Sequence, residues 1–292
     1  GEDGEAPDGA ALTDAQRLDL ITFLHGWYGL GRVRITGGEP LLHKGVVALI
    51  ADIRRALPDL SLAMTTHGRL LYRKGFELRR AGLDRLNVSL DSLDPRRYHD
   101  ITGGTLADVL AGIESAQFVG FDPPRINTVV LRGANDDEVV TLARWALSNG
   151  SEIRFLEAMP IGAGAAGNRE RFVSGAEVRG RLATHFELTP LPRDYGETAQ
   201  RFRAAADDCE GVIGLITPVT DVFCGQCRRI RVTADGRLFP CLLDARCVDL
   251  RAAWAQGRFQ PDTAASLIEA AVHDKQRIGP QMQPTQMVAL GG

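Results

Sequence analysis

The sequence predicts an α/β protein built as a curled, incomplete (β/α) barrel of the TIM type, followed by an α+β extension. Three observations carry that prediction. Short β-branched runs alternate with amphipathic stretches from Leu12 to Leu156, turn residues punctuate them, and the chemically unusual residues fall at the ends of the runs. Strands alternating with helices imply βαβ units and a parallel sheet. In such a barrel the strand C-termini share one mouth.

Residues 1–11 are acidic and rich in Gly and Pro, a composition that buries too little surface to order itself. They are expected to be disordered. Because the chain starts on Gly1 rather than Met, its natural start is expected to lie elsewhere. Thr13-Asp-Ala-Gln16 reads as a helix start feeding Leu18, Leu20, Ile21 and Leu24. Arg32 to Thr36 alternates as a strand and leads to a helix over Lys44 to Leu57. The unit repeats with a strand at Leu60 to Met64 and a helix at Leu70 to Ala81. A third strand, Leu86 to Leu90, precedes a helix at Leu106 to Phe118. Strands at Ile126 to Leu131 and Ile153 to Leu156 flank a helix at Asp137 to Leu147. Residues 12–160 therefore form the expected partial barrel.

After Met159 the rhythm breaks at Gly162-Ala-Gly-Ala-Ala-Gly167. One helix is expected over Gly175 to His185, with short strands at Gly214 to Thr217, Ile230 to Thr233 and Arg237 to Phe239. Helices at Leu250 to Ala255 and Thr263 to Val272 precede a Gln/Pro-rich tail. Residues 161–292 read as an extension lying across the mouth. Trp27, Trp145 and Trp254 are expected in the core, and Cys247 as a buried thiol.

At 44% hydrophobic and 24% charged residues, the 292-residue chain has the composition of a soluble globular protein. No apolar run approaches the roughly 18 residues of a membrane span, and no signal-peptide pattern opens the chain. A net charge of −3 argues against nucleic acid as an electrostatic partner. Five cysteines, an odd number without secretory features, point to a reducing cytoplasm with thiols free or bound to metal.

Cys224-Gly-Gln-Cys227-Arg-Arg-Ile-Arg231, with Cys241 beyond the turn Thr233-Ala-Asp-Gly236, is the densest chemical signal. Three thiolates form a soft anionic metal site, and the arginines set cationic forks beside it for a phosphorylated ligand. Zinc favours four closed ligands, so a structural zinc knuckle would need Cys209, Cys247 or a histidine. An iron–sulfur cluster with one open iron matches three. On spacing alone both remain open.

A second set gathers at the strand ends: Thr36-Gly-Gly-Glu-Pro40, Thr65-Thr-His-Gly68, Ser89-Leu-Asp91, Asn127, and Arg154 with Glu157. Gly37-Gly38 lets a ligand approach the backbone, and Glu39 could accept from its ammonium or hydroxyl. Each alone is weak; their convergence on one rim indicates a ligand site.

With Asn87-Val-Ser-Leu-Asp91, Gly133-Ala-Asn-Asp-Asp137, Arg154-Phe-Leu-Glu-Ala-Met159 and Phe223-Cys-Gly-Gln-Cys227, the chain resembles the radical S-adenosylmethionine (SAM) superfamily. Within it, the chain resembles the GTP 3′,8-cyclase family of molybdenum-cofactor biosynthesis, from about Leu12 to the terminal Gly291-Gly292. The resemblance implies that Gly38, Ser89 and Met159 contact SAM. It implies that Arg34, Thr65, Arg125, Arg229, Ile230 and Arg231 contact GTP. Cys224, Cys227 and Cys241 would hold a second [4Fe-4S] cluster whose open iron meets the purine. The plainer alternative for the arginines is a solvated basic strand face.

The implied reaction uses a radical derived from SAM to remove the ribose C3′ hydrogen of GTP. The carbon radical then closes onto guanine C8, giving (8S)-3′,8-cyclo-7,8-dihydroguanosine 5′-triphosphate. The implied partners are GTP, an electron donor, a second copy in a homodimer, and a downstream cyclic pyranopterin monophosphate synthase.

Departures accompany the resemblance. The family's upstream Cys-x3-Cys-x2-Cys motif, which binds the SAM-cleaving [4Fe-4S] cluster, has no counterpart: the cysteines are at 209, 224, 227, 241 and 247. This chain alone is therefore expected to bind GTP without turnover. His67 stands where Asn is usual and Arg125 where Lys is usual, the latter exchange keeping charge but not geometry. Two other readings remain open here: a different radical SAM maturase with an auxiliary cluster, and a non-catalytic barrel holding zinc and a nucleotide.

Overall fold

A computed structural model describes residues 11–159, 169–221, 225, 227–242, 244, 246–273 and 275. The first element, α1 (Asp14–Tyr28), starts on a capping box. Thr13 Oγ1 accepts from Gln16 N at 3.2 Å, and Gln16 Oε1 accepts from Thr13 N at 2.9 Å, satisfying helix-end donors that would otherwise lack partners.

Four βα repeats and a fifth strand follow: β1 (Arg32–Ile35), α2 (Val46–Ala56), β2 (Ser61–Thr66), α3 (Leu71–Ala81), β3 (Arg85–Ser89), α4 (Pro95–Thr102), α5 (Leu106–Phe118), β4 (Arg125–Val130), α6 (Val139–Ser148) and β5 (Ile153–Glu157). Sequence reading had missed α4. Its start is chemically marked, since Asp94 Oδ1 accepts from Arg96 N and Arg97 N, Pro95 occupies the first turn, and Gly103 closes it at φ 69°. Its short, charged sequence hides the periodicity.

The second half supplies α7 (Gly175–Ala183), β6 (Glu187–Pro190), β7 (Gln200–Ala205) and β8 (Glu210–Ile216). These strands join the barrel sheet, whose order is β1-β2-β3-β4-β5-β8-β7-β6. From β1 through β8 neighbours run parallel, while β7 and β6 turn antiparallel. β6 and β7 were not expected, because Glu187, Arg201 and Arg203 interrupt the apolar signal. The architecture is an incomplete (β/α) barrel with an α+β extension. The expected boundary at 160/161 falls on residue 160, outside those described.

Beyond it lie β9 (Arg231–Val232), β10 (Arg237–Phe239), β11 (Val248–Asp249), a 3-10 turn at Leu250–Ala253, β12 (Trp254–Ala255), β13 (Arg258–Phe259) and α8 (Pro261–His273). The helix expected over Leu250 to Ala255 is thus a 3-10 turn followed by a hairpin. Gln256 and Gly257 both take positive φ, 52° and 73°, the conformation of a two-residue turn matched to strand twist.

Two cores hold the molecule. The larger packs one face of the sheet (Leu62, Met64, Val88, Ile126, Phe155, Ile213) against Ile50, Leu78, Ile113 and Leu142 of the helices. The smaller joins Leu20, Phe23 and Leu24 of α1 to Leu238, Leu250, Ala253 and Ile268 of the extension. Trp145 and Trp254 pack partly buried against these cores. Trp27, expected in the core, is 54% exposed, its ring tilted against Phe23 at 5.3 Å: it shares the face of Leu20, Phe23 and Leu24 but sits in the last turn of α1, beyond the last buried residue of the helix. Cys247 is exposed rather than buried, in the loop before β11. Among the described residues no helix is long and apolar enough to cross a membrane.

Candidate active site

Because strand side chains alternate and laterally paired residues share a face, the register fixes what the other sheet face carries. Thr65 pairs with Asn87 and Asn87 with Arg125. Ser89 pairs with Asn127, Asn127 with Arg154, and Arg154 with Gly214, which pairs in turn with Arg201. Arg34 lies on the same face through its pairing with Ala63. Where the helix-covered face is apolar, this one is polar and basic.

The arginines act on one another. Arg34 keeps solvent access at the barrel opening while protein surrounds it. Burial, followed by the charges of Arg154, Arg229, Arg125 and Arg32, pushes its guanidinium down to about 10. The charges that bear on it most strongly are those of four other arginines. Glu152 steadies two members: Arg125 Nε donates to Oε2 at 3.0 Å and Arg154 Nε to Oε1 at 2.6 Å. Gly214 leaves room for the Arg154 stem, since a Cβ there would come within 3.1 Å of Arg154 Cγ. Thr65 Oγ1 accepts from buried Asn87 Nδ2 at 3.2 Å.

The Gly-Gly turn leaves β1 at the rim. A Cβ on Gly37 or Gly38 would meet no atom within 4 Å, so the space over this backbone is open to a ligand. Glu39 is tied into the protein's own backbone and side chains. Its carboxylate accepts from Leu41 N at 3.0 Å, Thr66 Oγ1 at 2.7 Å and His67 N at 2.9 Å, and its side chain is only 5% exposed. The glutamate locks the turn to the end of β2. On the next strand, Ser89 is half-buried at the end of β3. Asp91, two residues on, accepts from Val129 N at 2.8 Å, and burial pushes its carboxyl up to about 6. Met159 is half-buried just past β5.

Glu157, at the end of β5, receives Gly175 N at 2.8 Å and both Val219 N and Thr220 N at 3.0 Å. It thereby ties the barrel to the turn that leads into the cysteine segment. Cys224 lies outside the described residues. Cys227 and Cys241 are both half-buried, and both thiols bear on Arg231 and Lys275. Burial resists ionisation of Cys227, yet the Arg229 backbone N–H, its guanidinium and Lys275 carry the thiol below its ordinary range, which favours thiolate ligation. Burial and Arg229 hold Arg231 down at about 10, against the pull of the two cysteines. Ile230 sits half-buried between these arginines. Among the described residues no three His, Cys, Asp or Glu side chains form a metal-holding group.

Family comparisons bear on the whole chain. A radical SAM superfamily model matches residues 4–146, and a Molybdenum Cofactor Synthesis C model matches residues 151–279. The chain is 38% identical to GTP 3′,8-cyclase of Paenarthrobacter nicotinovorans over 97% of its own length and 86% of the relative's. Against the enzymes of the same name from Alkaliphilus metalliredigens and Pseudomonas entomophila identity is 41%, covering 80% and 86% of this chain and 72% and 75% of theirs. The chain belongs to the GTP 3′,8-cyclase family.

For a GTP 3′,8-cyclase family member the arrangement is chemically coherent. Arg34, Arg125, Arg229 and Arg231 belong to one electrostatic neighbourhood that runs from the barrel face to the cysteine locus, while Gly38 and Ser89 line strand ends on the rim. Sequence reasoning overlooked Arg32, Glu152 and Lys275. The first two stand in phase with Arg34 and Arg154 on their strands, so strict period-two reading would have found them. Lys275, far along the chain beyond α8, carried no local signal.

Proposed function

We propose that this protein acts as a GTP 3′,8-cyclase in molybdenum-cofactor biosynthesis. The single observation that carries the reading is Arg34, a guanidinium at the barrel opening on which the charges of four other arginines bear. Such a cluster is costly unless a polyanion joins it, and forked guanidiniums match a triphosphate bidentately.

In this reading Arg34, Arg125, Arg229 and Arg231 neutralise the triphosphate, with Glu152 holding Arg125 and Arg154 in place, and Thr65 and Ile230 border the nucleoside. The open backbone of Gly37 and Gly38, with Ser89 and Met159, receives SAM. Cys224, Cys227 and Cys241 hold a [4Fe-4S] cluster at the guanine end, for which the acidified Cys227 thiol is suited. SAM, with a cluster held by the Cys-x3-Cys-x2-Cys ligands that residues 1–292 lack, would supply the radical that removes a ribose hydrogen in the intact enzyme. The chain's own part is to keep C3′ near C8 and to exclude water from the mouth. A reductant and a synthase that consumes the cyclised product follow from the same reading.

The test is GTP binding to the chain reconstituted anaerobically with iron and sulfide, followed by equilibrium dialysis and paramagnetic resonance. GTP should perturb the cluster signal, and Arg34→Ala should weaken GTP at least ~10-fold, about 1.4 kcal/mol. Zinc in place of iron at the cysteines, or an Arg34→Ala variant with unchanged affinity, would overturn the reading.

A further inference from the structure

His67 follows β2 at the rim and meets the Gly-Gly turn through Nε2, while Nδ1 faces its own loop. Its Nδ1 accepts from Arg69 N at 3.1 Å, which leaves the ring proton of a neutral imidazole on Nε2. Nε2 lies 3.3 Å from Glu39 Oε2, the oxygen that also accepts the His67 backbone N–H at 2.9 Å. The two contacts select one tautomer, because only the Nε2–H form can accept at one end and donate at the other. Glu39 in turn fixes Leu41 N and Thr66 Oγ1, so the ring closes a ring of contacts around the carboxylate that shapes Gly37 and Gly38.

We propose that His67 is a positioning residue: its neutral Nε2–H tautomer holds Glu39 and thereby the Gly37–Gly38 backbone in its receptive shape, and protonation of the ring distorts that shape by breaking the Arg69 N contact and pulling Glu39 towards the imidazolium. The inference rests on the reading of this turn as the SAM-receiving loop. Protonation would set an Nδ1–H against the Arg69 N–H, two donors facing each other, while drawing Nε2 harder onto Glu39. The charged groups facing the ring are Glu39 from the β1 turn and Arg69 from its own loop. Asp108 of α5 stands behind Arg69 at 3.9 Å. Burial, opposed by Glu39 and aided by Arg69, keeps the imidazole below its ordinary value of 6.5. The unfolded chain therefore binds the proton more readily than the native one. The stabilisation is present above pH 6.5 and lost as pH falls through the native value.

Nuclear magnetic resonance of the isotope-labelled chain tests this without turnover. The imidazole nitrogens should report the Nε2–H form at neutral pH, and the Gly37, Gly38 and Arg69 amides should move with the His67 titration. His67→Asn keeps an acceptor and a donor on one fork but cannot titrate. It should retain the amide positions and abolish their pH dependence, whereas His67→Ala should displace them at every pH. With SAM as probe, affinity should fall at least ~3-fold below the titration midpoint in the native chain and stay flat in His67→Asn. An Nδ1–H tautomer, glycine amides indifferent to the titration, or an unchanged pH profile in His67→Asn overturns the inference. If the amides follow the titration but SAM binds none of the variants at any pH, the SAM reading of the loop fails while the positioning role stands.

Discussion

Gly38 can accept a side chain without disturbing the fold, which makes it a sharp residue-level probe. Nothing lies within 4 Å of a Cβ built there, and its backbone is not left-handed. Gly38→Val should therefore melt within a few degrees of the native chain while SAM affinity falls at least ~10-fold. Thermal melting and ligand titration on the same sample check both halves. A large drop in melting temperature would show that the space is needed by the protein itself. The residue scale also shows what residue identity leaves out. Glu39 reads as a ligand group because an exposed carboxylate on a turn would be one, but its actual partners are Leu41, Thr66 and His67, contributed by a neighbouring strand end. No local pattern announces that pairing.

Among the elements, the two ends of the barrel divide their labour. At the floor, Arg54 of α2 donates to Gly82 O at 2.8 Å, Leu60 O at 3.0 Å and both oxygens of Asp84 at 2.9 Å, while Asp84 accepts from Leu62 N at 2.7 Å. This binds α2, β2 and β3 far from the mouth. Arg54→Ala should cost roughly 2–3 kcal/mol by leaving carbonyls and a carboxylate unpaired, with GTP affinity unchanged. Denaturant unfolding and GTP titration together check it. Helices were legible where caps and stripes agreed. The predicted span of α5, Leu106 to Phe118, is the observed one, and Thr13 starts α1 as its capping box demands. The antiparallel strands β6 and β7 were opaque because Glu187, Arg201 and Arg203 break up their short apolar pattern.

For the molecule as a whole, the basic face is an unbalanced charge that the protein carries despite a net charge of −3. Inorganic tripolyphosphate should therefore raise the melting temperature, since a ligand of the native state alone stabilises it. The gain should shrink as salt rises through the range where the Debye length falls below ~10 Å, and Arg34→Ala should diminish it. Equal stabilisation of native and variant chains would mean that the anion binds elsewhere. The parallel sheet, the mouth and most rim positions were readable from alternation and spacing. The approach of Arg229 to Arg34, on a strand laid down far earlier in the chain, was not, because it depends on how the extension folds back.

That folding back also sets an order of events during synthesis. β8 completes the parallel run beside β5, yet an antiparallel pair and a helix separate them in the chain. A nascent polypeptide that has passed β5 but not Glu210 carries a bare β5 edge, its amides and carbonyls open to any passing strand. Such a chain on the ribosome needs shielding by chaperones until its late strand arrives, and pausing in that interval invites aggregation.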